Sequence, residues 1–193
     1  MTPLSSGPPA VIALSGNPRR SSRTVTVARA VAGHVAALAG PGSAAVSEIE
    51  LADLTGEVFS ADRPGVEAAL SALAGARVVV VATPVYKASY TGLLKAFLDL
   101  YGPDGLAGVA AVPVVVSASP AHALVGEVHL RPLLVELGAA VPTRAFSVTE
   151  RQLDGLEGLV DRWAVAATPL LRLFLSAPAP NADEPVLSLA GAR

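Results

Sequence analysis

Apolar positions along this chain come in two textures, short unbroken runs and longer stretches with helical spacing. Residues 78–83 and 109–117 are mostly valine and alanine with little polar interruption. Runs this short and this apolar read as strands covered on both faces. Residues 10–15 read the same way. From Thr24 the apolar positions Val27, Val31, Val35 and Leu38 recur every three or four residues, which predicts an amphipathic helix. Gly40-Pro41-Gly42 ends it. A looser strand is expected over 45–51, then a loop over 54–64 and a helix over 66–73 with Gly75 just beyond its end. Helices follow over 92–101, closed by Gly102-Pro103, and over 123–137, closed by Gly138. Residues 141–148 read as a fifth strand and 153–175 as a last helix. Pro132 must either start a new helical segment or kink the one it occupies, and Pro169 poses the same problem. Residues 1–9 and 177–193 are proline-rich and read as loose ends, so one domain is expected over 1–176 with a flexible tail over 177–193.

Strand and helix therefore alternate five times. That order predicts an α/β fold of three layers around a five-stranded parallel sheet. The flavodoxin-like strand order 2-1-3-4-5 suits five such units, and it places a ligand at the ends of strands one, three and four.

Composition narrows the function classes. The 193 residues are 52% hydrophobic but only 4% aromatic, so alanine, valine and leucine must fill the core. A formal net charge of −2 argues against a nucleic-acid binder, which needs a basic surface. The absence of cysteine excludes a disulfide framework, a zinc-thiolate site and a cysteine nucleophile. Mean hydropathy is high at +0.54, yet no apolar run approaches the roughly 20 residues of a membrane span. No secretory leader is visible, and a cytoplasmic protein is expected.

Three loops carry candidate chemistry. The first, residues 15–24, supplies Arg19, Arg20 and Arg23 as fixed charge and Asn17, Ser21, Ser22 and Thr24 as short donors. Thr24 is expected to cap the helix that follows. A helix N-terminus with arginine forks beside it suits a phosphate monoester. The second loop, residues 83–90, crowds Tyr86, Lys87 and Tyr90 at a strand end in a chain with only three tyrosines. Pro84 fixes the backbone there, so that Val85, Tyr86 and Lys87 would offer amides, Tyr86 a ring face and Lys87 a positive charge to a planar heteroaromatic ligand. The third loop holds Ser117, Ala118 and Ser119, small enough for a ring to approach the backbone. The three histidines lack metal-ligand spacing, so no metal is expected. The loops present no clear acid, base or nucleophile, which fits chemistry carried by a cofactor.

These loops bear a resemblance. Ala82-Thr-Pro-Val-Tyr-Lys-Ala-Ser-Tyr-Thr-Gly-Leu-Leu-Lys95, followed by Phe97-Leu-Asp-Leu100, resembles the NAD(P)H-dependent FMN reductases, and among them those that feed reduced flavin to alkanesulfonate and methanesulfinate monooxygenases. Gly16, Asn17, Arg19 and Ser22 are similar to the family's Gly-Ser-x-Arg-x-x-Ser loop, and His129-Leu-Arg-Pro-Leu-Leu134 to its Leu-Arg/Lys-Pro segment. The chain departs from the pattern at three places. Asn17 replaces a serine, Ser117-Ala118 stands where Gly-Gly is frequent, and Val128, beside His129, falls where some members insert a tyrosine or histidine. The resemblance implies FMN, reduced by NADPH or NADH through hydride transfer to flavin N5. It implies that Asn17, Arg19, Ser22 and Thr24 hold the phosphate, that Pro84, Val85, Tyr86 and Lys87 line the ring, and that Ser117, Ala118 and Ser119 meet its pyrimidine side. It also implies a homodimer or homotetramer packed through the helices over 92–101 and 123–137, and a flavin-dependent monooxygenase as partner. Two alternatives remain open at this point: an FMN enzyme that reduces a quinone, azo compound or metal oxyanion, and a flavodoxin-like electron carrier.

Overall fold

A computed structural model describes residues 11–39 and 46–176. The expectations for residues 1–9, for Gly40-Pro41-Gly42 and for the tail over 177–193 lie outside them.

The strands are β1 (Val11–Ser15), β2 (Ser47–Glu50), β3 (Val78–Pro84), β4 (Ala110–Ser117) and β5 (Phe146–Thr149). They form one parallel sheet in the order β2-β1-β3-β4-β5. The helices are α1 (Arg23–Ala37), α2 (Pro64–Ala74), α3 (Gly92–Leu98), α4 (Arg131–Glu136) and α5 (Leu156–Ser176).

Side-chain alternation on the strands splits the core in two. Val78 and Val80 pack with Val27 and Val31 of α1 and Leu171 of α5. Val79 and Val81 pack with Leu70 and Leu73 of α2, Phe97 of α3 and Leu134 of α4. Every residue of β1, β3 and β4 is buried, which is why their sequence shows no polar alternation. No helix among the described residues is long and apolar enough to cross a membrane.

Several expected boundaries move, each for a physical reason. The fifth strand begins at Phe146 rather than 141. Residues 141–145 are diverted because Arg131 donates to the carbonyls of Val141 at 2.7 Å and of Thr143, and Pro142 has no N–H to offer a ladder. The helix expected over 123–137 is broken into a wide π turn at Gly126–Leu130 and then α4. Pro132 stands in the first turn of α4, where its missing N–H costs nothing. Glu127 ties the π turn down, accepting from the Arg131 Nε at 2.6 Å and from the Ala145 amide at 2.7 Å. Pro169 lies inside an uninterrupted α5. Pro169 and Val165, whose carbonyl it leaves unpaired, are both exposed, so water can take that carbonyl. Residues 150–155 form a 3-10 turn ahead of α5, closed by a Thr149–Gln152 capping box. The loop over 54–64 caps α2, because the Glu57 carboxylate accepts from the Gly65 and Val66 amides at 2.7 and 3.1 Å.

Candidate functional site

The carboxyl ends of β1 and β3 lie side by side, and pairing continues past them into the loops. The Gly16 amide donates to the Ala82 carbonyl at 2.7 Å, and the Val85 amide to the Val116 carbonyl at 2.9 Å. The first loop therefore leaves the sheet beside the second.

Asn17 shapes the first loop. It is buried, its Oδ1 accepts from the Arg19 amide at 2.9 Å, and its Nδ2 donates to the Thr24 hydroxyl at 3.0 Å. An asparagine that bonds the amide two residues on is a turn-former. The helix cap is Ser22, not Thr24. Ser22 has extended backbone, and its hydroxyl accepts from the Val25 amide. Thr24 lies one step inside the helix, fully buried, with its oxygen committed to Asn17. Both residue types suit a cap, and only the backbone turn at Ser22 decides between them.

What the loop leaves available is a cluster of donors. The amides of Arg23 and Thr24 have no partner among the described residues, and the helix dipole adds partial positive charge there. Arg19 makes no ion pair among the described residues. Its neighbours do: Arg20 pairs with Asp53 at 2.5 Å and Arg23 with Glu150 at 2.7 Å. Glu50 takes the Ser21 amide at 2.9 Å. The buried Ser15 hydroxyl, at the end of β1, is unpartnered.

The second loop closes on itself. Tyr86 and Ser89 exchange backbone hydrogen bonds at 2.9 and 3.1 Å. Lys87 and Ala88 between them have φ of +52° and +62°, the geometry of a type I′ turn. The turn lifts Tyr86 to 43% exposure over the cleft and carries Lys87 outward. In the third loop Ser117 donates to the Ser119 carbonyl at 2.9 Å, and Ser119 caps a short 3-10 turn at Pro120–His122.

One cleft of about 510 Å³ joins Asn17, Arg19, Ser22 and Thr24 to Pro84 and Tyr86. Arg20, Ser21, Arg23, Val116 and Glu150 complete its lining. Val85, Lys87, Ser117, Ala118 and Ser119 are not part of that lining. Val85 packs against the core, and the other four sit around the same strand ends. Glu150 went unnoticed in the sequence. Its signal was topological, since it follows β5, a strand two places from β3. The residues present fit a phosphorylated planar ligand: a helix N-terminus and one unpaired guanidinium at one end, a proline and a half-exposed tyrosine at the other.

The sequence profile of NADPH-dependent FMN reductases matches residues 9–152. The chain belongs to that family. It is 35% identical over 173 residues to the NADH-dependent FMN reductase SfnE of Pseudomonas putida, covering 85% of this chain and 91% of that one. It is 37% identical over 133 residues to the NADH-dependent FMN reductase SfnF of Pseudomonas fluorescens, covering 66% and 70%. Among solved structures, the apo form of the NADH:FMN oxidoreductase EMOB superposes with a TM-score of 0.70 at 33% identity, over 87% of this chain and 90% of that one. The protein is thus an NAD(P)H-dependent FMN reductase on a flavodoxin-like fold.

Proposed function

We propose that FMN lies with its phosphate on the N-terminus of α1 and its ring against Pro84 and Tyr86. Bound there, the flavin supplies a hydride acceptor at N5 for the nicotinamide C4. The chain supplies position and field. Asn17 holds the loop so that the Arg23 and Thr24 amides face the cleft. Ser22 and Arg19 add a hydroxyl and a fork for a dianion. Val85, Lys87 and the Ser117–Ser119 loop border the ring, and the Lys87 charge favours electron-rich flavin. No residue of the cleft is assigned a proton-transfer role, because orienting two rings face to face is itself the catalytic contribution.

The observation that carries this reading is the junction of unpaired helix amides, Arg19 and Tyr86 in a single cleft. Carboxylates hold Arg20 and Arg23, so Arg19 is the free fork and the FMN phosphate its first claimant. NADH therefore serves as reductant alongside NADPH. The cleft is open and two of its arginines are shared with carboxylates, which supports a flavin that exchanges with solvent and passes, once reduced, to a partner monooxygenase. Exposed Leu124, Val128 and Val135, at 64%, 59% and 54%, support a homodimer or homotetramer packed through the face around α4. A pyridine-nucleotide reductant supports a cytoplasmic enzyme.

Steady-state assays with purified protein test this. FMN-dependent oxidation of NADH or NADPH is expected, with riboflavin a poorer acceptor at low concentration. No flavin-dependent oxidation of either nucleotide would overturn the reading.

A further inference from the structure

We propose that Thr91 is the positioning residue that fixes the phosphate-binding loop against the ring-binding loop. The inference rests on the flavin site described above and names the part of the chain that keeps its two halves in register.

The first loop starts at Gly16, and everything that holds Gly16 comes from a segment more than sixty residues away. Its amide donates to Ala82 in β3. Its carbonyl accepts from the Thr91 hydroxyl at 2.6 Å. The space where a side chain would sit is occupied by Leu94 of α3, whose Cβ would lie 2.8 Å from an added methyl. Thr91 itself is 2% exposed, so water cannot replace it at the Gly16 carbonyl.

Thr91 also closes the second loop. Its amide donates to the Thr83 hydroxyl at 3.2 Å, and that hydroxyl donates to the Pro84 carbonyl at 3.0 Å. The same Thr91 oxygen accepts from the Leu94 amide at 3.1 Å and so caps α3. One hydroxyl thus uses its proton on the phosphate loop and its lone pair on the helix that follows the ring loop. The ring loop, Thr83 to Thr91, is shut at its base by the Thr83–Thr91 bond and at its tip by the Tyr86–Ser89 pair.

A threonine that merely capped α3 would need only its acceptor. The donor half of the contact reaches across to the residue before Asn17, the turn-former of the phosphate loop. Without it the Gly16 carbonyl is buried and unpaired, and the loop that carries Asn17, Arg19 and Ser22 loses its anchor. The loss falls on the phosphate and not on the ring.

The test compares FMN with riboflavin, which differ by that phosphate alone. Dissociation constants for both are measured by fluorescence titration on the wild type, Thr91→Val and Thr91→Ser, with thermal unfolding alongside. Thr91→Val is expected to shrink the FMN-over-riboflavin preference by about fivefold, the net worth of one hydrogen bond, with riboflavin affinity little changed. Thr91→Ser keeps the donor and is expected to retain the wild-type preference, which keeps the proposal testable should the valine variant not fold. A valine variant that melts lower but keeps the preference would show a capping role alone and overturn the proposal, as would a serine variant that loses it. A wild type with no preference for FMN would instead remove the phosphate site itself, and the positioning role with it.

Discussion

The turn over the cleft holds two residues in a conformation that neither favours, and relieving one of them should stabilise the protein. Lys87 and Ala88 both have φ in the left-handed region, where glycine and asparagine are the usual occupants. Left-handed backbone costs a residue with a Cβ roughly 1–2 kcal/mol. Glycine at 88 removes that cost and gives back about 0.4–1 kcal/mol through its freer unfolded chain. Ala88 is exposed, so its methyl contributes little packing. Ala88→Gly should therefore raise stability by about 0.5–1 kcal/mol, or a few degrees in Tm for a domain of this size. Urea unfolding followed by circular dichroism, without flavin, measures it. A stability equal to or below wild type would show that the turn does not hold Ala88 left-handed. Lys87→Asn suits the same backbone and removes the charge, so any fall in flavin turnover there reports on the ammonium group and not on the turn.

Three further perturbations probe other parts of the account. Asn17→Ala deletes two hydrogen bonds of about 1 kcal/mol each and strands the buried Thr24 oxygen; denaturant unfolding should show a loss of about 2 kcal/mol, with FMN affinity falling as well, and a neutral effect on both would refute its loop-shaping role. Glu150→Gln frees Arg23 and removes a carboxylate from the cleft; since the pair is largely exposed, FMN should bind only about two- to fivefold tighter, an increase that calorimetry at low and high salt should show shrinking with salt. Hydrogen bonding from Arg131, aided by the Ala145 amide and nearby arginine charge, holds the Glu127 carboxyl below its ordinary value. Its contribution is therefore complete above the unfolded value of about 4.3 and is lost as the pH falls through the lower folded value. Glu127→Gln should be less stable than wild type at neutral pH by about 1 kcal/mol, and the gap should close on acidification; a gap independent of pH would contradict the ion pair.

Sheet order and layer assignment were legible because β1, β3 and β4 are apolar but for a hydroxyl residue near each carboxyl end, a texture that suits a parallel strand covered on both faces. The edges were less clear. Residues 141–145 look like strand, yet Arg131, a residue of the preceding helix, draws their carbonyls away from the ladder. The start of α1 was legible from the short hydroxyl residues ahead of it, but the cap was misplaced by two residues because Ser22 and Thr24 carry the same chemistry. What sequence could not reveal were contacts between distant segments. Glu150 on the cleft, Asp53 on Arg20 and Thr91 on Gly16 all depend on which strands become neighbours. The left-handed turn was hidden too, since Lys-Ala carries none of the Asn-Gly signature that announces such geometry.

The central claim is that the N-terminus of α1 receives the flavin's phosphate. Calorimetric titration of the wild-type protein with FMN and with riboflavin, under identical buffer and salt, tests it most directly. Charge-assisted hydrogen bonds to a phosphate should make FMN bind about ten- to a hundredfold tighter. Equal affinity for the two flavins would contradict the account.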